Sequence, residues 1–316
     1  MTILITGLGY IGARLAEDLL AAGESVVALE NFFCTSRSEL GGLLRRPGLK
    51  LIRGSINRPD TLQRALAAGP VRALVHLAAQ PSAHPEAASA RYTELTNLVG
   101  ARLTLEAARG AGVEMVVLGS SFRVYGDDLA NVVTEQQPYG RVGDLAHLSK
   151  IYLEKLAEMM AATRGPRCVA VRLGITYGLG PVMKTDPRFM TVPNRFAQLA
   201  AREEPLTVHA GATRPAGFIH VEDAGAALRT VLGADWSVPY WAVNAVAECL
   251  TVREVAECVR AAARERGLRG RILGPALRSH PEVVVRSSLS SAGFRPRRRL
   301  AESVGEVIDY FRPAPG

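Results

Sequence analysis

The sequence predicts an α/β protein, a doubly wound parallel sheet with a smaller, discontinuous C-terminal part. Two observations predict it. From residue 2 to about 174, short apolar runs alternate with longer helical periods, and after residue 175 glycines and prolines cluster and the alternation changes. The short runs "TILIT" (2–6), "SVVALE" (25–30), "LKLIRG" (49–54), "RALVHLA" (72–78), "EMVVLGS" (114–120) and "RCVAVRL" (167–173) read as buried strands. Helical segments lie between them at 11–22, 60–68, 87–110 and 144–163. Each crossover between parallel strands must return over a sheet face, which this alternation provides. Beyond residue 175, Gly and Pro punctuate 178–193, and extended pieces follow at "LTVHA" (206–210) and "GFIHV" (217–221). A helix at 222–232 followed by "YWAVN" (240–244) is expected to return to the main sheet. The chain thus divides into 1–174, with 222–245 returning to it, and a second part formed by 175–221 and 246–316.

Composition narrows the function classes. With 48% hydrophobic and 22% charged residues among 316, the chain is that of a globular protein with a sizeable core. Lys and Arg exceed Asp and Glu by 38 − 30 = 8. Much of the excess sits in "RAAARERGLRGR" (260–271) and "RPRRRL" (295–300), read as a solvated basic face. No aromatic interleaving or nucleic-acid-reading module accompanies the charge, so no nucleic acid is expected as a partner. A positive field suits an anionic small molecule better. Cys34, Cys168, Cys249 and Cys258 lie far apart without a Cys-x-x-Cys pair, which argues against disulfides and against a metal site. A cytoplasmic location suits them, and the N-terminus reads neither as a signal peptide nor as a membrane span.

"ILITGLGYIGARL" (3–15) places Gly7, Gly9 and Gly12 as G-x-G-x-x-G between a strand and a helix. Glycine is needed where the turn is tight, where backbone approaches a pyrophosphate and where helix packs closely on strand. Glu30 ends the next strand about 20 residues on, where a carboxylate binds the ribose hydroxyls of NAD. That carboxylate would repel a 2′-phosphate, so NAD is favoured over NADP despite Arg37 nearby.

An ordered series of motifs extends the pattern: "TGLGYIG", "LVHLAAQ" (74–80), "TNLVGARLTLEAA" (96–108), "GSSFRVYGD" (119–127), "LSKIYLEKLAE" (148–158), "RLGITYG" (172–178) and "FIHVEDAGAAL" (218–228). With this series the chain resembles the extended short-chain dehydrogenase/reductase family of nucleotide-sugar epimerases and dehydratases. Within it, "QPSA" (80–83), "HLSK", "NRFAQLA" (194–200) with "PLTV" (205–208), and Thr213-Arg214 look most like the UDP-sulfoquinovose synthase and UDP-glucose 4-epimerase branches. The resemblance implies a Rossmann domain, a C-terminal substrate domain, a homodimer, NAD as cofactor and a nucleoside diphosphate sugar, UDP-linked, as substrate. It places Ser121 at the catalytic hydroxyl and Lys150 at the catalytic lysine. It assigns Gly7, Gly9, Tyr10, Ile11, Gly12, Glu30, Asn31, Leu77, Ala78, Ala79 and Lys150 to the cofactor, and Gln80, Ser121, Asn194 and Arg214 to the substrate.

The family's base is a tyrosine four residues before the lysine, on the same helix face. Here that position is Ala146, and Tyr125, Tyr139 and Tyr152 stand at the wrong spacing. The glycine turn is one residue shorter than the family's commonest form. Ser55 replaces the carboxylate usual after the third strand. Phe122 and Arg123 stand where sugar 4,6-dehydratases carry an Asp-Glu pair, which argues against β-elimination. His147, about 100° around the helix from Ala146, is expected at the surface or behind the site. His76 reads equally as a cleft or a core histidine. Arg172 and Tyr177 read as structural, and Arg195 as a weaker candidate than Arg214 for the diphosphate. Asn194 contacts either a nucleotide or its own helix start. Two functions remain: an NAD-dependent nucleotide-sugar oxidoreductase in which the tyrosine has been truncated or another group replaces it, or a catalytically silent NAD-binding protein serving as sensor or partner subunit.

Overall fold

The computed structural model describes residues 1–316 apart from 83, 85, 211, 277–279 and 313–316, so the last residue of "QPSA" lies outside the described residues. Along the first part run β1 (Thr2–Thr6), α1 (Tyr10–Ala21), β2 (Ser25–Glu30), α2 (Gly41–Leu44), β3 (Leu49–Arg53), α3 (Pro59–Leu66) and β4 (Val71–His76). Then come α4 (Ala90–Glu94), a π-helical turn (Leu95–Gly100), α5 (Ala101–Gly110), β5 (Met115–Ser121), a 3-10 turn (Phe122–Tyr125), β6 (Val132–Val133), α6 (Leu145–Ala161) and β7 (Arg167–Leu173). The remainder holds β8 (Ile175–Tyr177), α7 (Val192–Ala201), β9 (Leu206–Thr207), β10 (Ala216–His220), α8 (Val221–Gly233), β11 (Tyr240–Ala245), β12 (Glu248–Leu250), α9 (Val252–Glu265), β13 (Ile272–Leu273), β14 (Val284–Val285), a 3-10 turn (Ser288–Ser290) and α10 (Leu300–Phe311).

Seven parallel strands form the central sheet in the order β11-β7-β5-β4-β1-β2-β3. The apolar strands face helices on both sides. Ile3, Ile5 and Val75 pack with Leu15 and Leu19 of α1 and Leu228 and Val231 of α8. Leu4, Leu74, Val116 and Leu118 pack with Leu62, Leu105, Leu153 and Met160 of α3, α5 and α6. Strand order reverses between β1 and β4, so the segments that leave their carboxyl ends go to opposite faces of the sheet and open a crevice, the usual ligand position of such sheets. Helices α7, α9 and α10 share a separate core with β10 through Phe196, Val259, Val304 and Phe218.

The expected helix at 87–110 starts at residue 90, because the Ser89 hydroxyl accepts the Tyr92 N–H and caps it, and its middle is the π-helical turn. The extra residue of that turn lets Thr96 line the crevice while Asn97 stays buried, its side-chain amide donating to the Gln80 carbonyl at 2.9 Å and to Ser149 Oγ at 3.0 Å. In the basic run at 295–300, Arg295, Arg297 and Arg299 are exposed as expected, but the segment is also anchored. Asp223, in the first turn of α8, accepts the backbone N–H groups of Arg297 and Arg298, Arg298 pairs with Glu222, and Arg299 donates to the Ala247 carbonyl. The acidic side chains in the first turn of α8 accept from this segment and draw it in. Among the described residues no helix is long and apolar enough to cross a membrane.

Candidate active site

The crevice begins at the turn from β1 to α1. Gly7 takes φ +87°, and a Cβ there would lie 2.8 Å from the Ala78 backbone nitrogen. A Cβ on Gly12 would overlap the Gly7 carbonyl oxygen, whereas one on Gly9 would meet nothing within 4 Å. The three glycines thus serve the turn, the close helix packing and an open approach to backbone. Gly9 caps α1 without a side-chain bond, and the first turn of α1 carries no acidic residue. Free N–H groups and the positive helix end therefore face the crevice, a cradle for a phosphate group. Glu30, buried at the end of β2, accepts the Leu8 N–H and the Phe32 N–H at 2.6 Å each. This fixes its carboxylate beside the glycine turn.

Gly7, Gly9, Tyr10, Ile11, Gly12, Glu30, Asn31, Leu77, Ala78, Ala79, Ser121, Ala146 and Lys150 all line this one crevice, as does Ser55. Thr35 also lines it, and its Oγ1 is buried without a hydrogen-bond partner. An unsatisfied hydroxyl, the uncapped helix start and the fixed carboxylate together fit a dinucleotide. At the far end, Lys150 Nζ donates to the Gly119 carbonyl at 2.7 Å. Desolvation lowers its pKa to about 8, against the pull of Glu154 one turn along. In the folded protein Lys150 loses its proton near pH 8, but in the unfolded chain only near 10.5. Between those values the unfolded chain binds more protons, so this group makes stability rise with pH across that window. Lys150→Met is expected to remove the rise, as read from urea midpoints measured at a series of pH values.

Not every expected residue reaches the crevice. The Gln80 side chain is closed on Ser82, accepting its N–H and donating to its carbonyl at 3.0 Å. Asn194 neither lines the crevice nor caps α7: its Oδ1 accepts the Gly178 N–H at 3.0 Å and its Nδ2 donates to Tyr10 Oη at 3.3 Å. Arg214 is exposed and paired with Asp128, and Arg195 is bonded to Gln198. His76 is a core histidine, buried 2.8 Å from Thr6 Oγ1, and burial with the nearby Lys150 ammonium lowers its pKa to about 3. Arg172 lies buried against Glu154, and Tyr177 is buried edge-on to His220. The expectation for His147 is corrected: it lines the crevice with Ala146 and Lys150. Helical side chains lean toward the N-terminus, and Asp144 at the start of α6 holds the imidazole there, with Nδ1 2.6 Å from Oδ2.

Sequence reasoning missed Phe33, Tyr92 and Lys184, which also line the crevice. Phe33 stacks on Tyr92 with centroids 4.3 Å apart, near Asn31, whose Nδ2 donates to Tyr92 Oη at 3.3 Å. The doubled aromatic in "ENFF" was the available signal. Lys184 arrives on the Gly/Pro-rich segment before α7, whose course over the crevice no local pattern encodes.

A seven-stranded parallel sheet with a glycine cradle at its switch point defines a dinucleotide-binding α/β protein. Residues 3–244 match the NAD dependent epimerase/dehydratase family, and the chain belongs to it. It is 27% identical over 266 residues to UDP-glucuronic acid decarboxylase 1 of Arabidopsis thaliana, covering 82% of this chain and 58% of that protein. It is 29% identical over 254 residues to UDP-glucose 4-epimerase of Yersinia pestis, covering 74% of this chain and 75% of the relative. The chain thus spans little more than half the length of UDP-glucuronic acid decarboxylases 1, 2 and 4 of Arabidopsis thaliana. Among solved structures, the UDP-glucose 4-epimerase of Thermus thermophilus in complex with NAD superposes with a TM-score of 0.82 at 26% identity, covering 99% of this chain and all of that one. MoeE5 in complex with UDP-glucuronic acid and NAD gives 0.79 at 26% identity, covering 98% of each chain.

Proposed function

We propose that the protein is an NAD-dependent nucleotide-sugar epimerase or a related oxidoreductase, working by transient hydride transfer at the sugar of a UDP-linked substrate. The observation that carries this is the opening of the glycine cradle and of Ser121, Ala146 and Lys150 into one crevice. NAD, when bound, supplies the hydride acceptor. The chain's part is to hold and orient. Gly7, Gly9, Tyr10, Ile11 and Gly12 receive the pyrophosphate. Glu30 and Asn31 take the adenosine ribose, Leu77, Ala78 and Ala79 back the dinucleotide, and Lys150 meets the nicotinamide ribose. Ser121 hydrogen-bonds the sugar hydroxyl. Gln80 and Asn194 shape the walls from behind, and Arg214 reaches the diphosphate by exchanging its exposed partner Asp128 for it, since arginine suits phosphate.

Ala146, with no phenol to take a proton, favours a second reading, a silent NAD-binding protein of the same fold. Thermal-shift measurements with NAD, UDP, GDP and dTDP separate the two. UDP stabilisation supports the enzyme reading, and stabilisation by NAD with none by any nucleoside diphosphate sinks it. In calorimetric titrations NAD is expected to bind more tightly than NADP, because Glu30 repels a 2′-phosphate; the reverse order overturns the role of Glu30. Leu148, Tyr152 and Met159 lie exposed along one stripe of α6, with Leu95 exposed on the neighbouring turn. Such a patch supports a homodimer through this face, which sedimentation velocity tests.

A further inference from the structure

We propose that His147, held by Asp144, is the general base of this crevice, an assignment that rests on reading the crevice as one that oxidises a nucleotide sugar. With alanine at 146, five tyrosines, Tyr10, Tyr92, Tyr125, Tyr139 and Tyr152, offer no substitute. Tyr10 Oη is committed to the Gly178 carbonyl, and Tyr92 stands at the Glu30 end of the crevice beside Asn31. Tyr125 bonds Asn244, Tyr139 bonds Glu154, and Tyr152 lies on the exposed stripe of α6. His147 lines the same crevice as Ser121, Ala146 and Lys150, with 22% of its side chain exposed.

Asp144 does two things at once. Its Oδ1 accepts the His147 backbone N–H at 2.9 Å, capping α6, and its Oδ2 lies 2.6 Å from Nδ1. A carboxylate at that distance makes Nδ1 the protonated nitrogen, so the Nε2 lone pair is free to accept a proton. Nε2 has no hydrogen-bond partner among the described residues. The same carboxylate offsets the imidazolium that forms when the proton arrives, the role a buried aspartate plays behind a catalytic histidine. The other charged groups around the pair are Arg123 from the first 3-10 turn, itself paired with Asp127, and Lys150 one turn along α6. In the step, the sugar hydroxyl would give its proton to Nε2, and NAD, when bound, would supply the acceptor for the hydride of the adjoining C–H, so that the C–O bond becomes C=O. Reversal returns both.

A capping pair alone would have no bearing on rate once the helix is folded. His147→Gln keeps the backbone cap and removes the base. It is expected to slow single-turnover reduction of bound NAD by a UDP-sugar by about 10²- to 10⁴-fold, with NAD and UDP binding by calorimetry unchanged. Asp144→Asn is expected to slow the same reduction as well, because the imidazolium that forms loses its carboxylate. Nitrogen-15 spectra, with the His147 signals identified by their loss in His147→Gln, are expected to show the Nδ1–H tautomer in the wild type. A wild-type rate in His147→Gln, or an Nε2–H tautomer, overturns the assignment while leaving the enzyme reading intact. A wild type that reduces no NAD with a UDP-sugar that binds overturns both.

Discussion

Glu154→Gln lowers the folding stability by about 3–5 kcal/mol, the usual penalty for leaving one partner of a buried ion pair alone. Glu154 is fully buried in α6 and receives Arg172 Nη2 at 2.7 Å and Nε at 3.1 Å, the Tyr139 hydroxyl at 3.0 Å and the Ser120 hydroxyl. Arg172, on β7, also donates to Tyr125 Oη at 2.6 Å and to the Glu135 carbonyl at 2.9 Å. One carboxylate thus ties α6 to β5, to β7 and to the loop before α6. Glutamine keeps the shape but not the charge, so the guanidinium remains buried without a counter-ion. Urea unfolding of the single and double variants with Arg172→Met measures it. The double variant is expected to lose less than the sum of the two singles, since a pair removed together leaves no orphan charge. A Glu154→Gln midpoint equal to that of the wild type contradicts this account of the core.

In the His147→Gln background, Ala146→Tyr is expected to restore single-turnover reduction of bound NAD by at least about 10²-fold. Residue 146 lies four before Lys150 on the same helix face and lines the crevice with it. A phenol placed there meets an ammonium that favours its ionised form. In the wild-type background the same substitution is expected to change the rate little, because His147 already supplies the base. A large gain from Ala146→Tyr in both backgrounds, with His147→Gln alone no slower than the wild type, contradicts the histidine's role and returns the crevice to one disarmed at position 146. The readout is growth of reduced-nicotinamide absorbance in all four combinations of the two sites.

The main sheet was legible because parallel strands buried on both faces are plain apolar runs: β1, β2 and β7 begin and end where the runs do, and the others shift by one or two residues. The glycine turn and Glu30 were legible for a related reason, since backbone geometry leaves little choice of residue there. What the sequence concealed depends on tertiary placement. Lys184 and Phe33 reach the crevice on irregular segments with no period to read. His147 was misjudged because a 100° step around an isolated helix says nothing of a crevice that wraps its first turn from more than one side, or of an Asp144 that draws the ring back. The arginines at 297–299 were legible as an exposed run, but not their anchoring to Asp223 and Glu222, which lie more than seventy residues before Arg297 and Arg298 in the chain.

The central claim, that this crevice oxidises a nucleotide sugar with NAD, is tested most directly by stopped-flow absorbance of the NAD-loaded protein mixed with UDP-glucose or UDP-glucuronic acid. The account predicts a transient growth of reduced nicotinamide in the wild type that is strongly slowed in His147→Gln. A flat trace with a UDP-sugar that calorimetry shows to be bound contradicts it.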